Sequence, residues 1–251
     1  MPFITDPFFY MVAIPSVLLL GLSKSGFGAG FGSLAVPLMA LAIPVPQAAA
    51  VLMPLLFVMD VLTLKAFRKE LNWPLFRFML PWGLLGIGVG TALFQALDAR
   101  TVAGVVGIFA WVFLAQRKLF PPKADAAPPG KWWGALMCTT SGFTSFVSHS
   151  GGPPINAYVI PLKLAPTVFT GTLAAFFFVI NLSKWVPYAW LGLLDMGNFA
   201  TSMALLPLAP MGVWMGVKVA RRISPLWFYR LVDWGMFLTG AKLIWDGFLS
   251  H

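Results

Sequence analysis

The chain predicts an all-α membrane protein built as two inverted repeats, and three observations predict it. Apolar stretches recur along the whole length: 59% of the 251 residues are hydrophobic, mean hydropathy is +0.84 and only 10% are charged, where a soluble domain carries about 25%. A polar linker, "RKLFPPKADAAPPGKWW" at 117–133, divides the chain nearly in half. Short motifs recur in the same order on either side of it. About 18 or more consecutive apolar residues suffice for a spanning helix. The ten-residue alternating segments of a membrane β-barrel are absent.

Each repeat reads as about five apolar segments. In the first half they fall at about 8–22, 27–42, 46–66, 74–95 and 99–119; in the second at about 132–147, 151–163, 166–190, 195–218 and 225–249. The matching runs in order. "SGF" at 25–27 recurs at 141–143, each followed by small residues and then by Pro37 or by Pro153 and Pro154. The turns "IPVPQ" at 43–47 and "IPLKLAP" at 160–166 follow, and the next segment carries one polar residue, Asp60 or Asn181. "PWGLLGIGVG" at 81–90 then matches "PLAPMGVWMG" at 207–216 in its Pro-x4-Gly-x3-Gly spacing. The first two segments of each half are short for a span, so broken or re-entrant helices open each repeat, giving about 8 to 10 membrane segments. The expected boundaries are 1–119 for the first repeat, 120–131 for a cytoplasmic linker and 132–251 for the second repeat.

Charge sets the orientation. With this segment count, one side of the membrane receives Lys65, Arg68, Lys69, Arg117, Lys118, Lys123, Lys131, Lys163, Lys218, Arg221 and Arg222, and the opposite loops receive Arg100. Basic residues collect in cytoplasmic loops, so the basic side is cytoplasmic and both termini lie outside. Counting each short pair as one crossing scatters the charges. Two similar halves with an odd number of effective crossings have opposite orientation, the plan of many secondary transporters.

The same reading excludes other classes. The formal net charge of +9 reflects these loops rather than a nucleic-acid surface. The single cysteine, Cys138, forms no internal disulfide, and no zinc-ligand spacing exists. The N-terminus, "MPFITDPFFYMV", has no basic region and carries Asp6, unlike a cleaved signal peptide. There is no Walker A sequence, no Gly-x-Ser-x-Gly elbow and no His-Glu-x-x-His helix. The expectation is therefore no enzyme, no metal and no cofactor, with the lipid bilayer and a small anion as partners.

Two stretches carry the candidate chemistry. "GLSKSGFGAGFGSLAVPLMAL" at 21–41 and "TTSGFTSFVSHSGGPPINAY" at 139–158 both place polar and flexible residues at membrane depth. Helix breaks there expose backbone N–H groups, each costing several kcal/mol in hydrocarbon unless it is buried or faces a wet cavity. At a helix N-terminus such groups suit an anion, and prolines such as Pro153 and Pro154 are placed to start a helix. Two broken elements at matching places point to a binding site between them. The candidates are Lys24, Ser25, Gly26 and Gly28 from the first stretch, and Ser148, His149, Ser150, Gly151, Gly152 and Asn156 from the second.

Plainer readings stand beside these. Glycines three and four apart in apolar helices serve tight packing, which applies to Gly26, Gly28, Gly30 and Gly32 and also to Gly86 and Gly90. Lys24 is either a site residue, as an intramembrane lysine is by default, or one more residue of the positive side. Lys184 and Lys242, late in outward-running segments, read as snorkelling to the outer interface. Asp60 and Asp233 either relay protons or pair with a basic residue. His149 either titrates near neutral pH or is held by hydrogen bonds.

At the two broken stretches, and in the duplicated plan around them, the chain resembles the sulfite exporter TauE/SafE family. The resemblance covers nearly the whole chain. It implies a multi-pass bacterial inner-membrane transporter that moves small sulfur-containing or other organic anions, such as sulfite or sulfonates, often outward. The residues independently favour alternating access to a small oxyanion between two repeats, with Asp60 or His149 available for proton coupling. The rival readings are a channel-like or cation-handling protein, which expects carboxylates facing the pore, and an intramembrane enzyme, which expects a catalytic dyad joined from distant segments.

Overall fold

The structure, a computed structural model, describes residues 4–24, 31–119, 128–219 and 225–249. Among them there is no strand, and helices stand on all ten predicted segments. The first half runs α1 (Pro7–Lys24), a 3₁₀ turn (Phe31–Leu34), α2 (Ala35–Met39), α3 (Val45–Phe67), α4 (Trp73–Ala96) and α5 (Ala99–Leu119). The second runs α6 (Lys131–Ser148), α7 (Gly152–Val159) with a 3₁₀ turn (Ile160–Leu162), α8 (Pro166–Ser183), α9 (Trp185–Trp190), α10 (Met196–Leu205), α11 (Leu208–Val219) and α12 (Pro225–Ile244) with a π turn (Trp245–Leu249). Among the described residues, five stretches are long and apolar enough to cross a membrane unaided: Pro7–Lys24, Val45–Phe67, Trp73–Ala96, Ala99–Gln116 and Pro166–Trp190.

Local chemistry accounts for many of the boundaries. The Asn72 side chain accepts the Leu75 N–H at 3.1 Å and caps α4; Asp195 accepts the Asn198 N–H at 2.9 Å and caps α10. Proline has no N–H, and its ring crowds the carbonyl four residues back. Pro187 thus acts on Ser183, where α8 gives way to α9, and Pro207 acts on Met203, near where α10 gives way to α11.

Helix α4 lies against α6, and α1 against α11; α3 packs on α8 and α10, α4 also on α8, and α5 on α12. Glycines set the closest approaches. A Cβ at Gly86 would stand 2.1 Å from the Thr139 carbonyl oxygen, one at Gly21 2.7 Å from the Gly212 carbonyl carbon, and one at Gly107 2.7 Å from the Gly240 carbonyl oxygen. At Gly90 it would press on the Phe146 ring at 3.1 Å. Gly86 and Gly90 are packing glycines. Large apolar side chains such as Met11, Leu85, Val112, Val186 and Trp214 are exposed on the outside, which hydrocarbon accommodates and water does not. The chain is a multi-pass membrane protein.

Candidate functional site

The sharpest local feature is the end of α6. His149 takes the left-handed conformation, φ 53° and ψ 24°, which glycine usually fills and which costs other residues about 1–2 kcal/mol. Its N–H caps the Ser145 carbonyl at 3.1 Å, and the Ser150 N–H reaches Thr144 O at 3.2 Å. The last four carbonyls of a helix lack intrahelical partners. Here Ser145 O also accepts Lys184 Nζ at 2.9 Å, Phe146 O accepts the Tyr188 hydroxyl at 2.7 Å, and Ser148 O accepts the Ser150 hydroxyl at 3.0 Å. The turn's own carbonyls are met from α6: Ser141 Oγ donates to Gly151 O at 2.6 Å, and Thr144 Oγ1 to Ser150 O at 3.1 Å. This is how a broken backbone is tolerated away from water.

Lys184 is completely buried at the joint between α8 and α9. Its Nζ donates to Ser145 O at 2.9 Å, to Ser145 Oγ at 3.1 Å and to His149 Nδ1 at 2.9 Å. His149 Nε2 lies 2.8 Å from the Ala49 carbonyl on α3. A carbonyl only accepts, so the ring proton belongs on Nε2 and leaves Nδ1 to accept from the lysine. One imidazole thereby ties α6 to α3 and to the α8–α9 joint. The snorkelling predicted for Lys184 is corrected here: the side chain turns inward because the broken end of α6 offers it carbonyls. Lys242 keeps to the surface, paired with Asp246.

Beside this junction lies a cavity of about 90 Å³. Its polar wall comes from both halves: Ser23 and Lys24, Ser33, Asp60 and Thr63 from the first, and Ser145, His149, Thr170 and Asn181 from the second. Its apolar wall includes Leu20, Leu56, Phe169, Leu173 and Phe177. Lys24 pairs with Asp60 Oδ1, Asn181 Nδ2 donates to Asp60 Oδ2, and the Lys24 ammonium sits 4.9 Å from the centroid of the Phe177 ring. Small apolar-walled pockets with a few convergent polar groups are the usual form of small-ligand sites.

The chain matches the model of the sulfite exporter TauE/SafE family over residues 13–243. It belongs to that family. No match was found among curated proteins or among solved structures. TauE/SafE proteins are membrane transporters rather than enzymes.

Of the residues predicted for the site, Lys24, His149 and Gly152 line the cavity, as does Asp60. Ser148 and Ser150 brace the turn instead: their hydroxyls lie 3.0 Å apart, and Ser150 Oγ reaches Ser33 O at 3.4 Å, joining the two halves. Gly151 is packed on α6, where a Cβ would stand 2.7 Å from Ser141 O. Asn156 is buried in α7. Pro153 and Pro154 carry no N–H, which leaves Gly151 and Gly152 as the main-chain donors at the start of that helix. Ser25, Gly26 and Gly28 lie outside the described residues.

Sequence reasoning missed Ser145, Thr63 and the inward role of Lys184. A signal for Lys184 existed. Asn181, the polar residue that marks its segment, and Lys184 stand three apart in one apolar helix, so they share a face.

Proposed function

We propose that this TauE/SafE protein is a secondary transporter that exports small sulfur-containing or organic anions, such as sulfite or sulfonates. Alternating access operates between two inverted repeats, 1–119 and 132–251, joined by a cytoplasmic linker at 120–131. The observation that carries the anion reading is Lys184. Its three hydrogen-bond partners are all uncharged, and among the described residues no carboxylate lies within ion-pair distance of it. It stands directly behind the wall that Ser145 and His149 give the cavity. A buried ammonium with no carboxylate in direct contact is costly; an anion in the adjoining cavity supplies a nearer counter-charge. The broken end of α6 holds the cation meanwhile, because helix C-terminal carbonyls carry partial negative charge.

The neighbour relations support two related halves. Exchanging the halves turns the α4–α6 contact into α11–α1 and the α4–α8 contact into α10–α3, while α3–α8 and α5–α12 map onto themselves. Asp60 and Thr63 on α3 stand at places matching Asn181 and Lys184, and Asp60 and Asn181 touch. In this reading the breaks expected near 23–27 and 148–152 flank the cargo, with backbone N–H groups of Gly26, Gly28, Gly151 and Gly152 assisting Lys24 and His149. The family likeness implies a bacterial inner-membrane location, and the one-sided Lys and Arg distribution favours both termini outside. The inside-negative potential then favours anion exit by about 2.3 kcal/mol per charge per 100 mV. The cation-handling alternative expects several carboxylates at the cavity; among the described residues Asp60 is the only one in its wall, and it is paired to Lys24.

Flux in proteoliposomes across sulfite, thiosulfate, methanesulfonate and acetate tests this reading. Saturable efflux of at least one sulfur oxyanion supports it. Movement of sodium or potassium with no anion flux sinks it.

A further inference from the structure

Among the described residues Asp60 is the only carboxylate in the cavity wall, and it is 1% exposed, against 17% for the Lys24 side chain. Both its oxygens are engaged, Oδ1 by the Lys24 ammonium on α1 and Oδ2 by the Asn181 amide on α8. A carboxylate inside a membrane is expensive. Placed on the cation that faces the cavity, it also competes with any anion for that cation. A site shaped only for tight anion binding would omit it.

A carrier must do more than bind and release its cargo, because it also has to return empty. An unpaired lysine sealed into a closing, low-dielectric cavity opposes that step. We propose that Asp60 is the resident counter-anion of the carrier. Without cargo it neutralises Lys24 and lets the empty cavity close. When cargo enters, the anion takes Lys24 from Asp60, and the carboxylate stays held by Asn181. No covalent bond changes and no proton moves in this exchange of partners. The other ionisable groups nearby, His149 in the cavity wall and Lys184 behind it, keep their mutual hydrogen bond. The inference rests on the transporter reading above and assigns a step within it.

The experiment compares two fluxes of ³⁵S-sulfite in proteoliposomes. Net efflux into sulfite-free buffer needs the empty carrier to return; exchange against external sulfite does not. For Asp60→Asn the ratio of net efflux to exchange is expected to fall at least tenfold, with a lower half-saturating sulfite concentration in exchange. In the double variant Lys24→Gln/Asp60→Asn the ratio is expected to return to within threefold of wild type, because the lysine that faces the cavity is then gone, while Lys184 stays sealed behind the wall on Ser145 and His149. An unchanged ratio in Asp60→Asn overturns the proposal. So does a ratio that stays depressed in the double variant, which would make Asp60 a proton-transfer group. Should Asp60→Asn fail to assemble, infrared difference spectra of the wild type on adding sulfite decide. A carboxylate band that shifts, and is missing in Lys24→Gln, supports the exchange of partners; an unshifted carboxylate overturns it. Failure of the transporter reading looks different: the wild type then moves no anion of the panel in either mode.

Discussion

Lys184 donates to His149 Nδ1 at 2.9 Å across the gap between the α8–α9 joint and the broken end of α6. The same histidine holds the Ala49 carbonyl of α3 at 2.8 Å. Helix α3 of the first half therefore meets α6 and the α8–α9 joint of the second at one imidazole and one ammonium. This contact backs the wall of the proposed anion site.

Replacing Lys184 by methionine keeps the stem and removes the cation. A hydrogen bond to a charged partner is worth about 1.5–3 kcal/mol, and each 1.4 kcal/mol is a factor of about ten. Sulfite efflux should therefore fall between about tenfold and a hundredfold. The protein should still purify as a folded species, since an apolar substitute for a buried ion is often tolerated. Wild-type flux from Lys184→Met would remove this lysine from the mechanism.

His149 serves two purposes, and two substitutions separate them. Glycine accepts φ 53° freely, whereas alanine there is strained by about 1–2 kcal/mol. Both lose the ring. His149→Ala should thus melt at least about 2–4 °C below His149→Gly, while flux is reduced to a similar extent in both. Equal melting temperatures would show that the turn relaxes and that its left-handed geometry is incidental.

The glycine crossings predict a contrast within one helix. Gly86→Ala puts a methyl group 2.1 Å from the Thr139 carbonyl oxygen and must push α4 off α6; at Gly88 a Cβ meets nothing within 4 Å. Gly86→Ala should express poorly or melt well below wild type, and Gly88→Ala should match wild type. Fluorescence-detected size exclusion of the two variants decides. Gly151→Leu belongs with the packing class, since its Cβ points at the Ser141 carbonyl.

Orientation is checked by cysteine labelling in intact cells. Lys69→Cys, in the α3–α4 connection, should resist a membrane-impermeant maleimide until the cells are opened. Asp98→Cys, between α4 and α5, should label at once. The buried Cys138 stays silent in both. The opposite pattern would invert the assigned topology.

The sequence by itself determined where the ten apolar segments lie, because hydropathy, prolines and linker composition are local properties of the chain. It also located the second break at residues 148–152, for the same reason: only a turn at membrane depth calls for Gly-Gly-Pro-Pro beside hydroxyls and a histidine. The tertiary structure alone decided which polar groups meet. Spacing puts Lys184 on the face of Asn181, but it names no partner that would hold the lysine inward, whereas Lys242 stays at the surface on Asp246. That choice depends on Ser145 and His149 at the end of α6, which become neighbours of Lys184 only when α8 and α9 dock there. Likewise Asp60 and Asn181 lie 121 residues apart, and they join only because α3 and α8 pack side by side. Hydrogen bonds and ion pairs act over a few ångströms, so which ones form is a property of helix packing rather than of segment composition.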